Sequence, residues 1–327
     1  MVENVIKNIF RIDVPLPGNP LKTLNSYFIK GSDRNLLIDT GFNMDECRTA
    51  LLEGLRELGA DMFRTDIYVT HLHSDHIGLA DVIASPESKV FLTEIDHDIL
   101  IDSTRGRWER YDEILLREGF SKDELEALVT KNPARAFAPA TLPPITHVKD
   151  GDVLNYGGLD LEVIEVTGHT PGNTVLYVRD LKLMFLGDHV LFDITPNIIS
   201  WMEVDNSLAK YCDNLRKIRE YDVSIPLPAH RTVTCTMRER IDQILEHHKN
   251  RLNEALSVIK EQPGLNLYDI ASKMTWQIRT SSNKWEDFPI GQKFFAIGET
   301  LSHMEYLIAE GKAQRRFDGV HNGYWPS

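Results

Sequence analysis

Thr70-His71-Leu72-His73-Ser74-Asp75-His76 sets three imidazoles and a carboxylate within six residues. Imidazole nitrogen and carboxylate oxygen are the donors that a borderline divalent ion such as zinc favours. The run follows an apolar strand, Asp66-Ile67-Tyr68-Val69-Thr70, so a rigid element stops where the donors begin. Continued as a strand, it would set His71, His73 and Asp75 on one face at i, i+2 and i+4. Asp75 and His76, as neighbours, diverge, and that spacing suits two metal ions better than one. Three further candidates stand in the same setting, each just past an apolar strand. His169 lies in Gly168-His169-Thr170-Pro171-Gly172-Asn173 after Leu161–Thr167, where flanking glycines permit a sharp turn. Asp188 follows Lys182–Leu186 and has two oxygens with which to bridge two cations, and His230 follows Ser224–Leu227. Strand ends along one sheet edge are where α/β proteins gather ligand sites.

The elements that must position these donors alternate. Tyr27-Phe28-Ile29 and Lys89–Thr93 read as strands, and Asn35-Leu36-Leu37-Ile38 is a buried strand that delivers Asp39 to its end. Between them, residues 45–58 carry Cys47, Leu51, Leu52, Leu55 and Leu58 at helical spacing, and Val82-Ile83 belongs to a short helix. Val175–Arg179 is a further strand. Such alternation is an α/β pattern. Residues 94–135 interrupt it with a charged stretch whose apolar face is Tyr111, Ile114, Leu115 and Leu116, a helical insert of a pair of helices. Past about residue 245 the pattern is helical: Glu246–Lys260, Leu267–Met274 and Phe294–Glu310, then a hairpin within Ala313–Trp325 with Asn322-Gly323 as turn signal. Helix, helix, helix, hairpin is the order of a winged-helix module. The expected organisation is a catalytic domain over 1–245 and a small winged-helix-like domain over 246–327.

Taken in order, the HxHxDH run, the Gly-His-Thr-Pro-Gly turn, Gly187-Asp188 and Pro228-Ala229-His230 resemble the motif series of the metallo-β-lactamase superfamily over roughly residues 8–245. Asp39, in Ile38-Asp39-Thr40-Gly41, matches that family's first motif. The resemblance implies an α/β fold, an αββα sandwich of two mixed sheets face to face with helices outside. It implies His71, His73 and His169 on one ion, Asp75, His76 and His230 on the other, Asp188 bridging, and Asp39 supporting the ligands. All three cluster histidines are kept, where iron-redox branches replace one with glutamate, so a hydrolytic branch is implied. Gly187-Asp188-His189 is similar to glyoxalase II-like hydrolases, but the insert and the lack of a glutathione-binding tail point away from a glutathione thioester. The tail resembles the winged-helix-like domain of one branch of the superfamily.

The expected function is a dinuclear metal-dependent hydrolase in which a metal-bridging hydroxide cleaves a small-molecule carboxylic ester-type bond, a thioester or lactone. A phosphodiesterase or nuclease of the same fold is the alternative. Asp75 is expected to orient the hydroxide and take its proton, and His189 to donate a hydrogen bond to substrate or leaving group. The cofactor is two divalent ions, zinc first, with iron or manganese as alternatives. Asn197 and Trp201 are candidates for the mouth, with the core as the alternative for Trp201; Arg105, Arg107, Trp108 and Arg110 read first as a solvated helix face, with a cap over the cleft that selects an anionic group as the alternative. His97, His147, His247, His248, His303 and His321 lack ligand spacing and are read as structural or exposed.

Bulk composition narrows the partners. The 327 residues carry a formal charge of −13, which opposes a polyanion, and residues 246–327 balance ten Lys and Arg with ten Asp and Glu. A small-molecule substrate is therefore expected and nucleic acid is not, with a lid or homodimer contact as the role of the tail. Cys47, Cys212 and Cys235 form no CxxC pair, which fits reduced thiols and a cytoplasmic location. No run reads as a signal peptide or approaches the ~18–20 apolar residues of a membrane span.

Overall fold

Strands buried on both faces build the molecule, which is described over residues 1–277 and 284–327 in a computed structural model. The first sheet takes β1 (Val2–Ile6), β2 (Ile9–Pro15), β3 (Thr23–Ile29), β4 (Asn35–Ile38), β5 (Thr65–Tyr68), β6 (Val90–Thr93) and β7 (Ile145–Val148) in sequence order. It is antiparallel as far as β4 and parallel from β4 to β7. Helix α1 (Asp45–Glu57) links β4 to β5, and α2 (Ser74–Ile77) and α3 (Ala80–Ile83) follow β5. The second sheet has β8 (Val153–Tyr156), β9 (Leu159–Glu165), β10 (Thr174–Val178), β11 (Leu183–Gly187) and β12 (Ile225–Pro228), ordered β12-β11-β10-β9-β8. Its one parallel pair, β11 with β12, is joined by the crossover helix α8 (Ser207–Arg219), as parallel strands require.

Alternation along the strands decides the layers. In β4, β5, β10 and β11, one set of side chains (Leu36, Ile38, Tyr68, Leu176, Val178, Leu183 and Phe185) meets in a core between the two sheets. The intervening residues turn outward: Leu37 and Ile67 against α1 and its neighbours, Val175, Tyr177, Met184 and Leu186 against α8. A period of two with both faces apolar is what a sheet covered on both sides demands. The result is the expected four-layer α/β sandwich.

The insert covers the expected residues but holds more helices than the expected pair. Between β6 and β7 lie α4 (Glu94–Ser103), α5 (Arg107–Arg117), α6 (Lys122–Lys131) and α7 (Pro133–Ala136). The C-terminal region follows as α9 (Met237–Glu261), α10 (Leu267–Lys273), α11 (Ile290–Ala309) and the hairpin β13 (Ala313–Phe317) with β14 (Asn322–Pro326). Helix α9 starts at a capping box, Thr236 with Glu239, and so runs through the expected 245/246 boundary. Its first half, with Met237, Ile241 and Ile244, packs on the second sheet's outer layer, while Ala255 and Ile259 enter a separate helical core. That core also holds Tyr111, Leu115, Phe120 and Leu125 of the insert, together with Ile270, Phe294 and Ile297. Insert and tail thus bury each other. Asn322-Gly323 sits inside β14 rather than at the turn, which Asp318 makes by accepting from the N–H groups of Val320 and His321.

Candidate metal centre

Five strands end at one edge of the sandwich, and each is followed by a donor: Asp39 after β4, His71 after β5, His169 after β9, Asp188 after β11 and His230 after β12. The edge is stitched across the two sheets, Thr174 N–H to the Thr70 carbonyl at 3.0 Å and Asn25 Nδ2 to the Pro228 carbonyl at 3.0 Å. The expectation of a strand carrying His71, His73 and Asp75 is corrected here. Strand β5 stops at Tyr68, His73 is the N-cap of α2, and Asp75 and His76 lie in its single turn. The ladder ends because Asp39 takes over: its carboxylate accepts from Thr70 N–H at 2.8 Å and from the Thr70 hydroxyl at 2.9 Å. Asp39 holds φ at +60°, a left-handed conformation that aspartate tolerates better than most residues and that clusters at functional sites. Gly168, at φ +147°, brings the His169 turn so close to α8 that a Cβ there would lie 2.5 Å from Tyr211 Cβ.

The donors converge. His71 Nε2 lies 3.0 Å from His73 Nδ1. Asp188 Oδ2 is 3.6 Å from both His76 Nε2 and His169 Nε2, and its Oδ1 is 3.3 Å from His230 Nε2. Asp75 Oδ2 is 3.4 Å from His230 Nε2 and 3.9 Å from His76 Nε2. On a zinc tetrahedron with bonds of ~2.0–2.1 Å, neighbouring ligand atoms sit about 3.3 Å apart. Three overlapping groups have ligand atoms within 4.8 Å of one another: His71, His73 and His169; His71, His76 and Asp188; Asp75, His76 and His230.

Buried polar atoms ordinarily find a hydrogen bond. The Nε2 atoms of His76, His169 and His230 and the Oδ1 of Asp188 have none, and they face one another. The opposite ring nitrogens are all engaged. His76 Nδ1 meets Asp39 Oδ2 at 2.8 Å, His71 Nδ1 meets the Thr70 hydroxyl at 3.1 Å, His169 Nδ1 donates to the Asn197 carbonyl at 3.0 Å and His230 Nδ1 to the Thr23 carbonyl at 2.7 Å. Such partners fix the tautomer that presents a lone pair at Nε2.

The charges agree. Burial, then the neighbouring imidazoles, holds His71 well below its ordinary value and His73 down at about 3, so both are neutral. Burial opposes ionisation of Asp75 and Asp188, yet the surrounding imidazoles pull both carboxyls below their usual range. Burial also opposes charge on His76 and His230, and the facing carboxylates overcome it and raise both. Neutral imidazoles and ionised carboxylates are what a cation binds, and carboxylates that draw protons onto histidines would hold a divalent ion instead. The residues present fit divalent metal.

A family model described as the metallo-beta-lactamase superfamily matches residues 22–230. The chain belongs to the metallo-β-lactamase superfamily. A protein of Bacillus subtilis named "Probable metallo-hydrolase YqjP" is 23% identical to it over 324 residues, 96% of each chain. An acyl-coenzyme A thioesterase of Homo sapiens is 28% identical over 54% of this chain and 61% of that one. Two crystal structures share the fold: a metallo-beta-lactamase family protein of Thermus thermophilus (TM-score 0.81, 24% identity, covering 99% of this chain and 100% of that one) and a beta-lactamase domain protein of Burkholderia ambifaria (0.85, 22%, 100% and 94%). Family and named relatives make this metallo-β-lactamase protein a hydrolase.

Other residues singled out in this metallo-β-lactamase sequence fall around the cluster. Trp201 lies 6.2 Å from the His73 ring and donates its indole N–H to the His169 carbonyl at 3.0 Å. Arg107 stands over Trp201 at 5.8 Å, but it is buried and forked onto Glu203, while Arg110 pairs with Asp102. Arg105 is exposed, and Trp108 stacks under Arg135. His189, the expected donor, has a fully buried ring that lies edge-on to Tyr211 of α8 at 5.1 Å. His97 with His147, and His248 with His303, pair outside the cluster. Sequence reasoning missed Asp96 of α4, which accepts from Leu72 N–H (2.9 Å), the Thr170 hydroxyl (2.9 Å) and Gly172 N–H (2.7 Å) and so ties the His71–His73 loop to the His169 turn. Its signal was an acid on the same helical face as the apolar Ile99.

Proposed function

We propose that the chain is a dinuclear metal-dependent hydrolase of small-molecule carboxylic thioesters or lactones, with His71, His73, Asp75, His76, His169, Asp188 and His230 as ligands and zinc as the preferred ion. The observation that carries this is the convergence of buried, unpartnered Nε2 and carboxylate atoms whose outer nitrogens are all held. Two ions bound there would lower the pKa of a water between them and polarise a substrate carbonyl. Within the chain, Asp188 presents one oxygen to the His169 side and the other to the His230 side, as a bridging ligand must. Asp75 keeps an ionised oxygen beside His230 and can orient a water and accept its proton. Trp201 gives an aromatic wall next to His73, and Arg107 lies over that indole with its charge paired to Glu203. Ester-type cleavage is supported by relatives named as thioesterases: the human enzyme above and an atrochrysone carboxyl ACP thioesterase of Aspergillus novofumigatus, 22% identical over 80% of this chain and 65% of that one.

The C-terminal elements read as winged-helix-like, since α9, α10 and α11 precede a hairpin and Leu265 bridges Tyr324 as a third strand would. With a balanced charge, that unit favours a structural role over nucleic-acid binding. The test is a panel of acyl-thioesters, lactones and a phosphodiester, assayed with and without chelator. Chelator-sensitive cleavage of a thioester or lactone is expected; turnover of the phosphodiester alone would overturn the proposal.

A further inference from the structure

One loop holds His169 from two sides. The ring donates Nδ1–H to the Asn197 carbonyl, and the His169 carbonyl accepts the indole N–H of Trp201, each at 3.0 Å. Residues 197–201 have no strand or helix of their own. A single stripe of α11 positions them instead. Asn197 Nδ2 donates to the Phe295 carbonyl at 3.3 Å and to Glu299 Oε2 at 3.0 Å. With two acceptors facing that nitrogen, the orientation of the amide is determined. Ser302 Oγ donates to the Ile198 carbonyl at 2.6 Å, and Ser200 pairs with Glu305. At Gly298 a Cβ would stand 2.7 Å from Ile199 Cγ2, so the helix comes as near the loop as glycine allows. Residues 295, 298, 299, 302 and 305 recur at three- and four-residue intervals, which is one helical face.

Glu299 is itself anchored. Its side chain is 12% exposed and pairs with Arg251 of α9, which is 8% exposed, at 3.3 Å. Arg251 also pairs with Glu254, donates to the Thr275 carbonyl at 2.8 Å and stacks on Trp276 at 4.1 Å. A charge this deep costs stability unless it is paired. An apolar side chain at 299 would take one partner from the buried Arg251 and could not hold the Asn197 amide. The carboxylate thus joins α9 to the loop through α11.

We propose that Glu299 is a positioning residue for the metal centre: through Asn197 it sets the ring of His169, making the C-terminal helices part of the hydrolase site. This rests on His169 being a metal ligand and not on the identity of the substrate. The test compares Glu299→Ala, Glu299→Gln, Asn197→Ala and the Glu299→Ala/Asn197→Ala pair, reading zinc affinity by chelator competition, kcat and KM separately, and Tm.

Loss of such an outer partner costs ~10–100-fold in metal affinity or activity. Glu299→Ala is expected to show that loss in zinc affinity and kcat, with KM changed by less than about threefold. Glu299→Gln keeps an acceptor for the amide and should recover to within about threefold of wild type. Asn197→Ala leaves the Arg251 pair intact, so its fold is not at risk, and it should match Glu299→Ala. Because the two act in series, the double variant should be no worse than either single one. Variants that lower Tm but keep zinc affinity and kcat within about twofold would overturn the proposal, as would losses that multiply in the double variant. If wild type binds zinc yet cleaves no thioester or lactone, the affinity readout still decides the role of Glu299.

Discussion

Asp39 gathers more of the centre than any ligand does. One carboxylate ends the β5 ladder at Thr70, receives the Thr70 hydroxyl that in turn faces His71, and holds His76 Nδ1. Asp39→Asn keeps the size but places an amide where acceptors are needed, so zinc affinity or kcat should fall ~10–100-fold while the fold persists. Unchanged zinc affinity in a chelator titration would show that Thr70 alone orients the two rings. At this scale the sequence was informative because the donors are side chains at the ends of apolar strands. It was silent where the partner is a backbone carbonyl: Thr23 for His230 and Asn197 for His169 carry no residue-type signal. His189 shares its neighbour's strand end, and its ring lies against Tyr211 of α8.

Among the elements, the end of the sandwich away from the site is tied by a second polar cluster. Asp66 of β5 is fully buried, forked by Arg34 (2.7 and 2.5 Å) and receiving the Tyr156 hydroxyl of β8 at 2.6 Å and Lys89 N–H at 2.8 Å. Burial raises its pKa, but Arg34, Tyr156 and the amide outweigh it and the net direction is down. A carboxyl whose folded pKa lies below its unfolded value contributes stability above the unfolded pKa of ~3.9 and loses it as pH falls through the folded one. Wild type should therefore lose stability below about pH 4, and Asp66→Asn, less stable by about 1.5–3 kcal/mol at pH 7, should show a flatter acid limb. Parallel slopes in urea melts from pH 7 to 3 would contradict this. The buried strands of both sheets were readable from their apolar runs. Strands β1, β2, β7 and β8 were not, because charged or polar residues such as Glu3, Arg11, Asp13, His147 and Asn155 interrupt their apolar runs. The early start of α9 was legible in principle, since Thr236 and Glu239 spell a capping box.

For the molecule as a whole, the family fold follows from motif order, but the joint core of insert and tail does not. Tyr111 and Leu115 read locally as the apolar face of an independent helix, and only the folded chain sets them against Ile270 and Phe294. That contact carries α11 to the loop over His169, so metal binding and the packing of the tail should be linked. Among the described residues no helix is long and apolar enough to cross a membrane. Ions bound only by the folded chain stabilise it by mass action, ~2.7 kcal/mol at a hundredfold excess over Kd, so chelation should lower Tm reversibly. A Tm indifferent to chelator and to added zinc would separate the centre from the fold.

The most direct test is the metal content of the purified chain, measured by elemental analysis after reconstitution with zinc, iron or manganese and removal of the excess. About two ions per chain are expected, with zinc retained best by imidazole and carboxylate ligands. A chain that retains no divalent metal from any of the three would contradict the reading of His71, His73, Asp75, His76, His169, Asp188 and His230 as ligands.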